Sequence, residues 1–189
     1  MKHLLSVIII LTVSLNSHAK KIHYPMEIVA GMADLIVVGK IENVGSGTYQ
    51  FRISNTVKGQ SLDLIKVQMF KEWTCDRRIK KAKEGQELFL FLTKKAGKFE
   101  IINGSTGEIF IDNGLVKRAF KASQRTTEEW FVAIKTFTIS YQFKGKDYEP
   151  LEENIFIQLR TDKEAKEVIG KSELTKWLFE RVKEYKIEN

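Results

Sequence analysis

The densest concentration of chemically useful side chains lies between Trp73 and Lys83. Arg77, Arg78, Lys80, Lys81 and Lys83 crowd together there, behind Phe70 and Trp73. Clustered cations attract phosphate or carboxylate oxygens, and an aromatic beside them offers a stacking face. A solvated charged turn has the same composition, so both readings stand at this point. The stretch also holds Cys75, the sole cysteine of 189 residues. It cannot form an internal disulfide, which leaves a small apolar residue in the core, an intermolecular disulfide or a reactive free thiol.

Other chemistries have little material. Of the three histidines, His3 and His18 flank an N-terminal apolar run that reads as a leader, leaving His23 near the start of the remaining chain. A Ser-His-Asp or Cys-His site would have to recruit this one residue, and no histidine- or thiolate-rich metal cluster can be assembled. Glu128-Glu129 stands at a helix start, where acids complement the dipole, and Glu152-Glu153 in a polar stretch after Pro150. Neither reads as a facing pair across a cleft. Asn103-Gly-Ser-Thr-Gly107 reads as a hairpin turn rather than a phosphate loop, and Asn103-Gly-Ser105 also satisfies a glycosylation sequon. No catalytic residue, metal or cofactor is therefore expected.

The first residues bear on compartment. Lys2 and His3 precede an apolar run from Leu4 to Leu15, and Ser17-His18-Ala19 places small residues around a cleavage position. This predicts a signal peptide over residues 1–19, with a chain starting at Lys20 that is periplasmic or secreted. The apolar run is too short for a spanning helix, and no later run replaces it. The formal net charge of +7 is moderate and spread along the chain, and Lys2 carries one unit of it. Such an excess suits solubility, or an anionic partner.

The elements that must position these residues follow from periodicity. Residues 24–33 predict a short helix with Pro25 in its first turn, Met26, Val29, Ala30 and Ala33 forming one face. Residues 35–44 are β-rich. Tyr49, Phe51, Ile53 and Val57 then share one face of a second strand, and Ile65, Val67 and Met69 make a third. After the irregular excursion from Trp73 to Gly85 come a buried strand Glu87–Thr93, a fifth strand at 98–102 and a short sixth at Ile109 and Ile111. Asn113-Gly114 turns the chain after it.

Beyond residue 120 the period becomes helical. Thr126 with Glu129, and Thr161 with Glu164, form capping boxes, and Gly170 supplies a stop. Leu174, Trp177, Leu178, Val182 and Tyr185 make the stripe of a last helix. Residues 138–160 read as strand or helix equally well.

Short consecutive strands with one excursion before the fourth predict a mainly β fold with α. The expected architecture is a five- to six-stranded Greek-key barrel of the OB type over residues 20–120, with a mainly helical C-terminal extension, 121–189, packed on it. The ordered series Ala33-Asp34-Leu-Ile-Val-Val-Gly39, Tyr49-Gln-Phe51-Arg-Ile53, Val57-Lys58-Gly59, Cys75, Glu84-Gly85-Gln-Glu-Leu88-Phe-Leu-Phe-Leu92 and Asn103-Gly104-Ser105 is similar to the netrin-like module, the barrel of the tissue inhibitors of metalloproteinases. The resemblance covers roughly residues 25–115. It implies an extracellular module that binds proteins. The inhibitors' zinc-chelating N-terminal cysteine has no counterpart in Lys20-Lys21-Ile22-His23, so that mechanism does not carry over.

The expected function is therefore non-catalytic binding of another extracellular or envelope protein. The alternative is an anionic polymer, polysaccharide or nucleic acid, held by Trp73, Arg77, Arg78, Lys80, Lys81 and Lys83.

Overall fold

The structure is a computed structural model that describes residues 21–117, 125–145, 154–161, 163–164, 167 and 172–188. The expected leader lies outside the described residues, as do Glu152-Glu153 and Gly170. Among the described residues no helix is long and apolar enough to cross a membrane.

Five strands close the barrel: β1 (Leu35–Val44), β2 (Thr48–Lys58), β3 (Leu64–Gln68), β4 (Glu87–Lys95) and β5 (Lys98–Ile101). The circuit runs β1-β2-β3-β5-β4 and returns to β1 through the antiparallel β1–β4 pairing. β3 and β5 run parallel: the excursion over residues 69–86 joins β3 to β4, and β4 then turns back antiparallel into β5. This is the OB-type barrel expected from the strand pattern.

Closing so few strands requires strong coiling, and β1 supplies it. Its register against β2 shifts at Ile36/Val37, Val38/Gly39 and Ile41/Asn43, and such bulges bend and twist a strand. At Gly39 the β2 backbone comes so close that any Cβ would run into the Arg52 carbonyl.

β4 is the hub. One edge pairs with β1 over Glu87–Leu92, while the other is shared between β6 (Glu108–Asp112) over Leu88–Leu90 and β5 over Leu92–Lys95. Its alternation serves two cores. Leu88, Leu90 and Leu92 face the barrel interior with Leu35, Val37, Tyr49, Phe51 and Val67. Phe89 and Phe91 face outward into a second apolar layer with Trp130 and Phe137. A strand buried on both faces reads as one continuous apolar run, as this one does.

That outer layer carries the remaining elements. α1 (Met26–Met32) follows Pro25, whose carbonyl accepts the Ile28 and Val29 N–H groups. Met26, Val29, Ala30 and Ala33 are all buried, as their spacing predicts. α2 (Thr127–Ser140) begins with the Thr126–Glu129 capping box. The Thr161–Glu164 bonds of the second box are formed too.

The C-terminal part contains more β structure than expected. β8 (Tyr141–Lys144), β9 (Ile155–Gln158) and β10 (Lys186–Glu188) form a three-stranded sheet beside α2 and α3 (Glu173–Val182). The reason is aromatic: Tyr141, Phe143 and Phe156 pack on one another and on Phe137 and Phe179, a cluster better served by alternation than by one helix face. Trp177 is exposed instead of joining the α3 stripe, and Phe179 takes the buried place. Glu27, fully buried in α1, accepts from Arg181 Nε at 3.0 Å and Tyr185 Oη at 3.1 Å, which ties the first helix to the last.

The turn at Asn103 also differs from expectation. β5 and β6 both pair with β4 and not with each other, so residues 103–107 form no hairpin. They form a 3₁₀ turn, Gly104–Thr106, after Asn103 in the left-handed region. β7 (Leu115–Lys117) does pair with β6 as a hairpin, through Asn113-Gly114, both at positive φ.

Candidate functional site

The β3–β4 crossover, residues 69–86, packs Met69, Phe70 and Ala82 on the barrel core. Within it Trp73-Thr-Cys-Asp76 makes a tight turn closed by reciprocal backbone bonds of 3.1 and 3.0 Å. Its exit is fastened to β1, with Gly85 N–H donating to Ile41 O and Ile41 N–H to Gln86 O.

Two buried cations hold the crossover in place. The first is Arg78, whose side chain is only 6% exposed. Its Nε lies 2.7 Å from Glu108 Oε1, an ion pair too oblique for a hydrogen bond. Its Nη1 donates to Glu72 Oε1 at 2.9 Å and to the Phe70 carbonyl at 3.3 Å, and the guanidinium carbon sits 3.9 Å from the Phe70 ring centre. Glu108, 4% exposed, accepts from Tyr49 Oη at 3.0 Å.

Burial pushes the Glu108 carboxyl above its ordinary range, and the pull of Arg78 and Tyr49 only partly offsets it. Burial pushes the Arg78 guanidinium down, yet Glu108 and Glu72 outweigh that and leave it raised. The Tyr49 hydroxyl is driven well up, by burial first and by the adjacent Glu108 second.

The second cation is Lys21, 6% exposed in its side chain. Its Nζ donates to Asp76 Oδ1 at 2.8 Å, Asn103 O at 2.7 Å, Ser105 Oγ at 3.2 Å and Thr106 Oγ1 at 3.3 Å. Burial lowers its pKa, with Asp76 pulling the other way. The Asn103 amide clamps the same segment, donating to Ile22 O at 3.0 Å and accepting from Tyr24 N at 3.3 Å. The sequon asparagine is thus held within the fold.

These pins divide the sequence-predicted residues. Arg77, Lys80, Lys81 and Lys83 are exposed, and Trp73 and Ile79 are 38% and 43% exposed beside them. Lys80 lies 4.6 Å over the Phe110 ring. Among the described residues no carboxylate pairs with Arg77, Lys81 or Lys83. Arg78 departs from the expected contact surface: its neighbours in sequence face water, but its own charge is consumed by Glu108 and Glu72. Cys75 is a free thiol, half-buried rather than a core residue.

Lys21 and Glu108 were not among the residues singled out. Lys21 offers no local pattern, since its partners are far along the chain. Glu108 did carry one: alternation places it on the same face as Phe110, toward the barrel interior, where an acid needs a cation.

A concavity of about 540 Å³ opens between β1, β2 and the turn at Glu84-Gly85. Lys40, Glu42, Gln50, Arg52 and Ser54 line it, but Lys40 is paired with Glu87 and Arg52 with Glu42. Among the described residues no group of three or more His, Cys, Asp or Glu is placed to hold a metal. The chain matches no protein-family model and no curated protein.

Proposed function

We propose that this chain is an exported, non-catalytic binding module that engages another protein through the outer face of residues 73–83. One observation carries the reading: Trp73 and Ile79 are exposed among Arg77, Lys80, Lys81 and Lys83 on a crossover immobilised from beneath. A preformed surface loses little entropy on binding, and exposed aromatic anchors among charges are what protein contacts use. The netrin-like series of residues supports the same class, and the leader-like residues 1–19 support export.

The alternative of an anionic polymer draws on the same unpaired cations. The test uses chain beginning at Lys20 as bait for envelope extract, beside heparin and single-stranded DNA at ~0.15 M salt. A partner retained by the parent and lost with Trp73→Ala supports the protein reading. Polymer binding that flattens in salt dependence when Arg77, Lys80 and Lys81 are neutralised would favour the alternative.

A further inference from the structure

Two acids of the crossover are already engaged: Asp76 is buried, and Glu72, though exposed, is paired with Arg78. Glu72 is held by Arg78, and Asp76 by Lys21 and the Ser105 N–H. Glu108, the nearest acid of the barrel wall, is taken by Arg78 and Tyr49. Toward solvent stand Lys71, Arg77, Lys80, Lys81 and Lys83 against Glu84 and the Arg78-paired Glu72, and Trp73 and Ile79 are exposed in the same stretch. The sequence mixes both signs through residues 71–84; the fold buries Asp76 and occupies Glu72 with Arg78, which leaves the exposed charge mainly positive.

We propose that this face is a receptor for an acidic segment of a partner protein, one that carries Asp or Glu interleaved with at least one large apolar side chain. The proposal rests on the reading of residues 73–83 as the contact face. Charge complementarity selects the acids, because among the described residues no carboxylate is paired with Arg77, Lys81 or Lys83. Trp73 and Ile79 select the apolar side chain, since partly exposed apolar surface gains when water is excluded around it. A polyanion without large apolar or aromatic groups would leave both uncovered.

The experiment measures anisotropy of a short labelled peptide that alternates Glu with Leu and Phe. It is run beside its Gln analogue, an all-Glu peptide, heparin and vesicles of anionic phospholipid. The Glu/Leu/Phe peptide is expected to bind, and the Gln and all-Glu peptides about tenfold or more weaker, each having lost one of the two elements. Trp73→Ala and the triple variant Arg77→Gln/Lys80→Gln/Lys81→Gln should each weaken the parent peptide. Lys176→Gln, exposed on α3, should not. Far-ultraviolet dichroism and the unfolding midpoint of each variant confirm that it is folded.

Equal binding of the all-Glu peptide, or tighter binding of heparin or vesicles, overturns the proposal. So does failure of every peptide. If envelope capture still depends on Trp73 in that last case, the binding-module reading survives while the acidic segment does not.

Discussion

Arg78 Nε stands 2.7 Å from Glu108 Oε1, although Arg78 belongs to the most basic stretch of the chain and Glu108 to an apolar strand. The pair joins the crossover to the barrel wall. Removing one member leaves a charge out of water without its main partner, which costs about 3–5 kcal/mol at buried sites. Arg78→Gln should therefore lower stability by that order. Arg77→Gln, one residue away and exposed, should stay within about 0.5 kcal/mol. Urea unfolding of the two variants, followed by dichroism, makes the comparison.

The same pair sets a pH dependence. Because burial raises the Glu108 carboxyl above its ordinary value near 4.5, the folded state takes up a proton before the unfolded state as pH falls. The contribution is fully present below the unfolded value and is lost as pH rises through the folded one. The stability of the parent relative to Glu108→Gln should then increase from pH 7 toward about pH 4. An opposite slope would mean that the attraction of Arg78 outweighs the burial of the carboxyl.

Strand positions, both N-terminal capping boxes and the barrel class were legible because each depends on local period or spacing. Leu88-Phe-Leu-Phe-Leu92 announced a strand buried on both faces. It did not announce that Leu and Phe serve different cores, since that depends on α2 and the C-terminal sheet arriving later in the chain. Tyr141 to Phe143 was ambiguous for the same reason: its aromatic partners, Phe156 and Phe179, are remote. Within the basic cluster, sequence could not separate Arg78 from Arg77. Their difference is made by Glu108, a pairing across 30 positions.

Cys75 sits in the Trp73–Asp76 turn, half-buried and without a disulfide. A side chain so placed gives up less on truncation than a core residue. Cys75→Ala should change stability by under about 1 kcal/mol. The native protein should react with an aromatic disulfide reagent in the absence of denaturant. Full protection until unfolding would show the thiol to be buried after all.

Gly104 has φ +54°, and a Cβ there would run into the Asp76 carboxylate. Gly104→Ala thus meets both a backbone penalty of about 1–2 kcal/mol and displacement of the acceptor that holds Lys21. It should destabilise more than Gly97→Ala, which shares the positive φ but opens onto space. Thermal unfolding of the two variants separates the steric part from the conformational part.

Lys21 makes the segment before α1 a structural element. Its ammonium satisfies Asp76, the Asn103 carbonyl and two hydroxyls at once. Without it, among the described residues, the Asp76 carboxylate keeps the Ser105 N–H on Oδ1 and stays buried. Loss of one partner from such a site costs about 3 kcal/mol or more. Chain beginning at Lys20 should unfold cooperatively at a clearly higher urea midpoint than chain beginning at Ile22, and Lys21→Met should behave like the shorter chain. Amide exchange should localise the effect to residues 73–76 and 103–107, the two turns that the ammonium bridges. N-terminal sequencing of exported protein is expected to read Lys-Lys-Ile-His, which keeps Lys21. Equal stability of the two chains would show the contact to be incidental and leave the crossover anchored by Arg78 alone.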